Sequence, residues 1–320
     1  MGLNAQILIA PPNEGIYRSG EKITGTVKIN ICNNTIIKRI DIFFIGKLKA
    51  NTKTNTKNDY DRISKENFIN LSHTVDNAFQ ESDTFKEEGV YEHPFEFQLP
   101  EDLPSTYRDK ICTISYKVSV HFKIDGMFKN KNIVTEIPVY GYVKSCSVLP
   151  TYETTKKPFL SNDAIDLNVE IKNAFINAGD NIELNYIINN KAKIAVSTIK
   201  TKLISEVIFK LDEKSKTVKK KDLSLVESPG VKENSETKLT CIVPSLPDLF
   251  SIGHSKFFSR EYKVIVTAIL PFPHRDVSVE IPVAIQMNNN IPQIEVNSQF
   301  NKIGFVSHMT YVLRPLQSIL

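Results

Sequence analysis

The feature that most constrains this chain is an alternation of apolar and polar residues with a period of two. Successive side chains of a strand point to opposite faces, so this period sets one face on a core and the other in water. In Ile114-Ser-Tyr116-Lys-Val118-Ser-Val120-His-Phe122-Lys-Ile124 every even position is apolar and every odd one polar. The same pattern predicts strands over Ile23 to Ile31, Ile40 to Leu48, Ile165 to Ile171, Ile182 to Ile188, Thr198 to Leu211, Tyr262 to Leu270 and Val277 to Ile285. Their β-branched and aromatic content agrees.

Helical periodicity is scarce. The one modest candidate, the polar stretch from Tyr60 to Phe79, reads as a short turn of helix or an extended loop. Parallel strands need long crossovers, usually helical, so the strands are expected to pair antiparallel. Turn signals at Arg18-Ser-Gly20, Asn33-Asn34, Asp125-Gly126 and Asn189-Asn190 separate them at suitable intervals. The reading is all-β, with immunoglobulin-like β-sandwiches.

The 320 residues suffice for two domains, each with its own core. The order of landmarks also appears twice. Gly20-Glu-Lys-Ile23, Leu99-Pro100, Tyr116-Lys-Val118 and Ile137-Pro-Val139 have counterparts in Gly179-Asp-Asn-Ile182, Val243-Pro244, Tyr262-Lys-Val264 and Ile281-Pro-Val283. Each counterpart lies about 145 to 160 residues downstream. Two related sandwiches are therefore expected, over 1–150 and 151–286, with a tail over 287–320. The seam between them falls near Leu149 to Leu160, where Pro150 and Pro158 interrupt the alternation.

Forty basic against thirty-six acidic residues leave a formal charge of +4, too small for a surface dedicated to nucleic acid. Cys32, Cys112, Cys146 and Cys241 lie far apart with no CxxC pair, as free thiols in a reducing compartment do. No segment approaches the roughly 18 apolar residues that span a bilayer, and no signal-peptide pattern opens the chain. A soluble cytoplasmic protein is expected. Gly2 invites myristoylation, but Gln6 stands where that pattern wants Ser or Thr.

Catalytic patterns are missing. The six histidines are scattered, none at metal-ligand spacing beside a glutamate, and there is no G-x-S-x-G elbow or phosphate-binding glycine loop. Neither metal nor cofactor is expected, and an enzyme with an unrecognised site is the reading the residues favour least.

A family resemblance rests on particular motifs. Tyr17-Arg-Ser-Gly20-Glu-Lys-Ile23-Thr-Gly25-Thr-Val27 is followed by Ile37-Lys-Arg-Ile40-Asp-Ile42-Phe-Phe-Ile45-Gly46, and later by Gly89-Val-Tyr-Glu-His-Pro94-Phe95-Glu-Phe97-Gln-Leu99-Pro100-Glu-Asp-Leu103-Pro104-Ser105 and Ile114-Ser-Tyr116. This series resembles the arrestin family, most closely its α-arrestin branch, over roughly Ala5 to Ile285. Independently of the resemblance, Phe95, Phe97 and Leu99 alternate as core residues do, and Pro94, Pro100 and Pro104 suit strand ends.

The resemblance implies tandem arrestin-type sandwiches and a non-enzymatic adaptor of protein trafficking or signalling. Its expected partners are cytoplasmic tails of membrane receptors or transporters, with ubiquitin-pathway or sorting-complex proteins beside them. It implies a cytoplasmic protein recruited to the plasma membrane or endosomes. A second reading is a fixed subunit of a retromer-like sorting complex, which shares this fold. Departures narrow the picture. The first strand, Ala5-Gln-Ile-Leu-Ile9, lacks the lysines with which receptor arrestins sense phosphate, and the tail carries neither a PPxY motif nor a clathrin box.

Two basic groups are candidate contacts for anionic lipid or a phosphorylated tail. Lys214, Lys216, Lys219, Lys220 and Lys221 read as a hairpin tip, with Glu213 and Asp222 as neighbours; Lys144, Lys156 and Lys157 lie near the expected seam. A plain solvated loop is the competing reading for each. Tyr140-Gly-Tyr-Val143 matches a sorting motif by letter, but its place after Ile137-Pro-Val139 assigns it to a packed strand. The tail stretch Ile303 to Leu313 alternates enough to augment a sheet edge or to remain an extension.

Overall fold

The computed structural model describes residues 2–12, 16–32, 35–53, 61–75, 88–125, 131–143, 151–159, 161–210 and 216–288. Nineteen strands and no helix occur among them. The first half holds β1 (Leu3–Ile9), β2 (Tyr17–Arg18), β3 (Lys22–Ile31), β4 (Ile37–Lys53), β5 (Asp61–Thr74), β6 (Gly89–Gln98), β7 (Tyr107–Arg108), β8 (Cys112–Ile124), β9 (Lys131–Ile137) and β10 (Val139–Tyr140). The second holds β11 (Thr151–Lys156), β12 (Ile165–Ile171), β13 (Phe175–Asn177), β14 (Asn181–Asn190), β15 (Val196–Lys210), β16 (Lys216–Val231), β17 (Ser235–Pro244), β18 (Phe258–Ile269) and β19 (Val277–Gln286).

Each half is a sandwich of two sheets. In the first, β1-β3-β6 faces β5-β4-β8-β7, with β9 also paired to β8; in the second, β11-β12-β14-β17 faces β13-β19-β18-β15-β16. The alternation explains the packing, because the apolar set of each strand meets that of the opposite sheet. Ile23, Val27 and Ile29 of β3 share one core with Phe44, Tyr116 and Phe97. Leu167, Leu184, Tyr186, Leu203, Val264 and Ile281 belong to the other. Fully burying such a side chain contributes about 1.5–3 kcal/mol, so the two faces are strongly distinguished.

Three expectations are corrected. The stretch from Tyr60 to Phe79 is neither helix nor loop where described: most of it is β5, an edge strand antiparallel to β4. Within 149–160 lies β11, which pairs with β12 in the second sandwich. Pairing is not wholly antiparallel, because β10 runs parallel to β2 and β13 parallel to β19. Pro94 also lies inside β6 opposite Thr26, not at its end. It is tolerated there because β6 is an edge strand. The tail from 289 onward, including Ile303 to Leu313, lies outside the described residues.

The repeat seen in sequence reappears as repeated geometry. Gly20 and Gly179 both turn with positive φ, +81° and +88°, just after the short parallel strands β2 and β13. Buried Tyr116 donates its hydroxyl to the carbonyl of Pro104 at 2.6 Å, and Tyr262 does the same to Phe250 at 3.2 Å. The next residue in each case, Ser105 or Ser251, accepts through Oγ from the amide of Gly141 or Ile285 at 3.0 Å. A β-bulge interrupts the β4–β5 pair at Gly46/Lys47 and the β15–β16 pair at Leu203/Ile204.

Both sandwiches belong to one unit, Met1–Asn289. Phe209, Phe250, Ile252 and Phe258 of the second half pack into the core of the first. At this junction the rings of Tyr107 and Phe258 are 5.0 Å apart, and the Arg260 guanidinium stands 5.9, 5.8 and 5.4 Å from the rings of Tyr107, Phe250 and Tyr262. Glu66 of β5 accepts from the Ser255 hydroxyl at 2.8 Å and the Lys256 amide at 3.1 Å.

Candidate functional site

The structure moves the first lysine group. Lys216, Lys219, Lys220 and Lys221 are not at a hairpin tip: they form the first part of β16, antiparallel to β15, while Lys214 and Glu213 lie outside the described residues. Every residue from Lys216 to Asp222 is exposed. Strand geometry divides the lysines between two faces. Lys219 and Lys221 lie opposite Val207 and Ser205, on the face of Phe209, and the Lys219 ammonium sits 5.9 Å from that ring. Lys216 and Lys220 lie opposite Lys210 and Glu206, on the other face.

Glu206 is the electrostatic centre of that second face, although only 5 % exposed. Lys220 Nζ approaches one of its oxygens at 2.7 Å and Lys263 Nζ the other at 3.1 Å, and Lys263 also reaches Glu280 at 3.2 Å. Burial by itself would raise the Glu206 carboxyl; the bonds from Lys220 and Lys263 outweigh it and hold the group below its ordinary value. Asp222 is taken by Lys202 at 2.6 Å. Among the described residues no carboxylate forms an ion pair with Lys210, Lys216, Lys219 or Lys221.

Of the second lysine group, Lys156 and Lys157 lie at the end of the second sandwich away from the junction. Lys156 ends β11, next to Lys157, and its ammonium donates to the carbonyl of Asp276 at 2.6 Å. Lys144 lies outside the described residues. The turn after β18 meets them there: Leu270 is buried, its amide bonded to Asp276 Oδ1 at 2.9 Å, and Pro271-Phe272-Pro273 forms the tip. Phe272 is 98 % exposed, and Phe159, on the turn after β11, is 62 % exposed. The turn after β14 adds Lys191, whose ammonium, with the Thr155 hydroxyl, holds the Asp166 carboxyl below its ordinary value. Along β15 this end and Lys219 are roughly 30 Å apart, at about 3.3 Å per residue. The two groups are separate surfaces.

Sequence reasoning missed Phe272 because a phenylalanine between prolines lies outside any alternating run. Its signal was an aromatic at a turn, where an apolar side chain has no core to meet. The letters Tyr140-Gly-Tyr-Val143 follow the short strand β10, and Tyr140 packs edge-on against Phe250 with centroids 6.0 Å apart. No activated nucleophile is evident among the described residues. Burial, with Asp109 beside it, pushes the Cys112 thiol up to about 12, and Cys241 is buried too; among the described cysteines only Cys32 is exposed. His121 Nε2 is 2.9 Å from Ser119 Oγ, but Asp41 on the adjacent strand is occupied by Arg39 and Thr74. Among the described residues no group of His, Cys, Asp and Glu converges as a metal site, and no helix is long and apolar enough to cross a membrane.

Comparison with known proteins agrees with this architecture. The family model for the N-terminal domain of arrestin (or S-antigen) matches residues 6–141, and that for the C-terminal domain matches residues 161–290. Arrestin domain-containing protein 5 of Bos taurus is 20% identical over 318 residues, covering 90% of this chain and 92% of that protein. The Homo sapiens protein of the same name is 19% identical over 313 residues, covering 89% and 88%.

Proposed function

The chain belongs to the arrestin family, and on that premise we propose that it acts without catalysis, as a cytoplasmic adaptor of protein trafficking or signalling. It holds cytoplasmic segments of membrane proteins while the far end of its second sandwich rests on an anionic membrane. The observation that carries this reading is the pairing of Phe272, exposed at a turn tip, with Lys156, Lys157 and Lys191 around the same end. Moving a phenylalanine from water into an apolar phase contributes about 1.5–3 kcal/mol. Each lysine near an anionic surface adds about 1 kcal/mol. The sum suits reversible recruitment, not permanent anchoring.

Cosedimentation of the full chain with vesicles tests it. Binding to phosphatidylserine-containing vesicles, little binding to pure phosphatidylcholine, and a loss of about tenfold in Phe272→Asp are expected. Equal binding to both vesicles, or no effect of Phe272→Asp, overturns the membrane contact.

A further inference from the structure

We propose that the free edge of β16 between Lys216 and Asp222 docks an extended, carboxylate-rich peptide segment as one further strand of the second sandwich. The proposal names what the adaptor holds. It stands on this edge alone, so the vesicle experiment can fail without affecting it.

Three observations converge. First, among the described residues β16 is terminal in its sheet and paired only with β15, so alternate residues turn their backbone N–H and C=O groups away from the sheet. Beyond the bulge at Leu203/Ile204 this part of the strand is exposed throughout. Second, the edge is basic on both faces, with Lys219 and Lys221 on one and Lys216 and Lys220 on the other. A strand laid along it therefore meets ammonium groups whichever way its own acidic side chains alternate. Lys216 also lies directly opposite Lys210. Like charges so placed cost stability and gain nothing without a counter-charge.

The third observation is an internal control. The equivalent edge of the first sandwich, β5, has the same position beside its sheet's long strand and the same bulge. Its corresponding seven residues, 61–67, read Asp-Arg-Ile-Ser-Lys-Glu-Asn, with two basic and two acidic side chains, against Lys-Thr-Val-Lys-Lys-Lys-Asp in β16. Lysines do guard edges against adventitious pairing. The corresponding sequence in the first sandwich is of mixed charge, so four lysines are not what the fold requires.

The chemistry also excludes other occupants. A second copy of this chain, edge to edge, would set lysines against lysines, and an apolar strand would strip water from them without replacing it. A lipid surface has no backbone to continue the ladder, and these lysines lie roughly 30 Å from Phe272.

The test is fluorescence anisotropy with the full chain and two labelled peptides of equal charge. One alternates glutamate with valine; the other replaces each valine by proline, which cannot donate to a ladder. The first is expected to bind at least about tenfold more tightly, and to lose about tenfold in the pair Lys219→Glu and Lys221→Glu. Equal binding of both peptides reduces the edge to a diffuse basic surface and overturns the proposal. So does failure of both to bind, or loss of anionic-vesicle binding but not peptide binding in the charge-reversed protein. Should those substitutions unfold the chain, the two peptides still decide with the unaltered protein.

Discussion

The two sandwiches share a skeleton and differ at their surfaces. Both carry the positive-φ glycine, the tyrosine bonded back to a carbonyl twelve residues earlier, the serine that follows that carbonyl, and the bulge beside the edge strand. The edges then diverge. In the first sandwich Glu66 is turned to the junction, where it holds Ser255 and Lys256. In the second the corresponding stretch is a lysine ladder, and the far end displays Phe272. What recurs closes each sandwich; what differs is where contact with other molecules is proposed.

The largest effect is expected at the bulge, where the halves use different residues for one position. Gly46 packs beneath Tyr116 and Ile69, which occupy the space of any side chain added there. Its counterpart Leu203 is fully buried. Gly46→Leu, which copies the second sandwich into the first, is expected to destabilise by about 3 kcal/mol or more through overpacking. Leu203→Ala should cost about 3 kcal/mol through a cavity. Denaturant unfolding, with amide exchange assigning the loss to one sandwich, checks both. A neutral Gly46→Leu would break the equivalence of the bulges.

The tyrosine bonds sharpen the comparison further. Tyr116→Phe and Tyr262→Phe each leave a buried carbonyl without its donor, a loss of about 1–2 kcal/mol. The bond at 2.6 Å should be worth more than the bond at 3.2 Å. Thermal unfolding of the two variants reads the order, and equal losses would show that surrounding packing outweighs the bond.

A smaller effect is expected at the junction. Glu66→Ala removes the acceptor of the 255–256 turn, while Ser255 Oγ continues to accept from the amides of Phe257 and Phe258. The turn should survive and its docking weaken, by about 1 kcal/mol. Faster amide exchange at Lys256, with none at Phe258, is the expected sign.

The legible part of this fold was the part with one wet and one dry face. β8 and β14 could be read directly, because each buries alternate residues. β5 escaped because its bulge turns the adjacent Phe68 and Ile69 both partly inward, which breaks the period. The basic part of β16 escaped for the opposite reason: both faces are wet, so nothing alternates. The short parallel strands, two or three residues each, are below the length at which a period exists. Lysine clustering was visible as composition, but its placement on an edge was set by pairing with β15, a contact between distant residues. The serine that follows the bonded carbonyl is legible in the sequence as a repeat. Leu103-Pro-Ser105 recurs as Leu249-Phe-Ser251 at the same spacing before Tyr116 and Tyr262.

The smallest effect, and the one that bears on the proposed docking edge, is expected from Glu206. Its folded value is held below the ordinary carboxylate value, near 4.5, so its ionised form favours folding. That contribution is complete above about 4.5 and is lost as pH falls through the lowered folded value, where protonation leaves Lys220 and Lys263 without their shared counter-ion. The equivalent position in the first sandwich is Lys49, opposite Lys65, so no carboxylate stands there. Amide exchange, corrected for its intrinsic pH dependence, should therefore quicken in β15 and β16 below about pH 4.5 more than in β4 and β5. Glu206→Gln should abolish the difference while leaving both edges paired. An acid response shared equally by the two edges would place its origin in the common skeleton, and Glu206 would then have no special hold on the lysine-bearing strand.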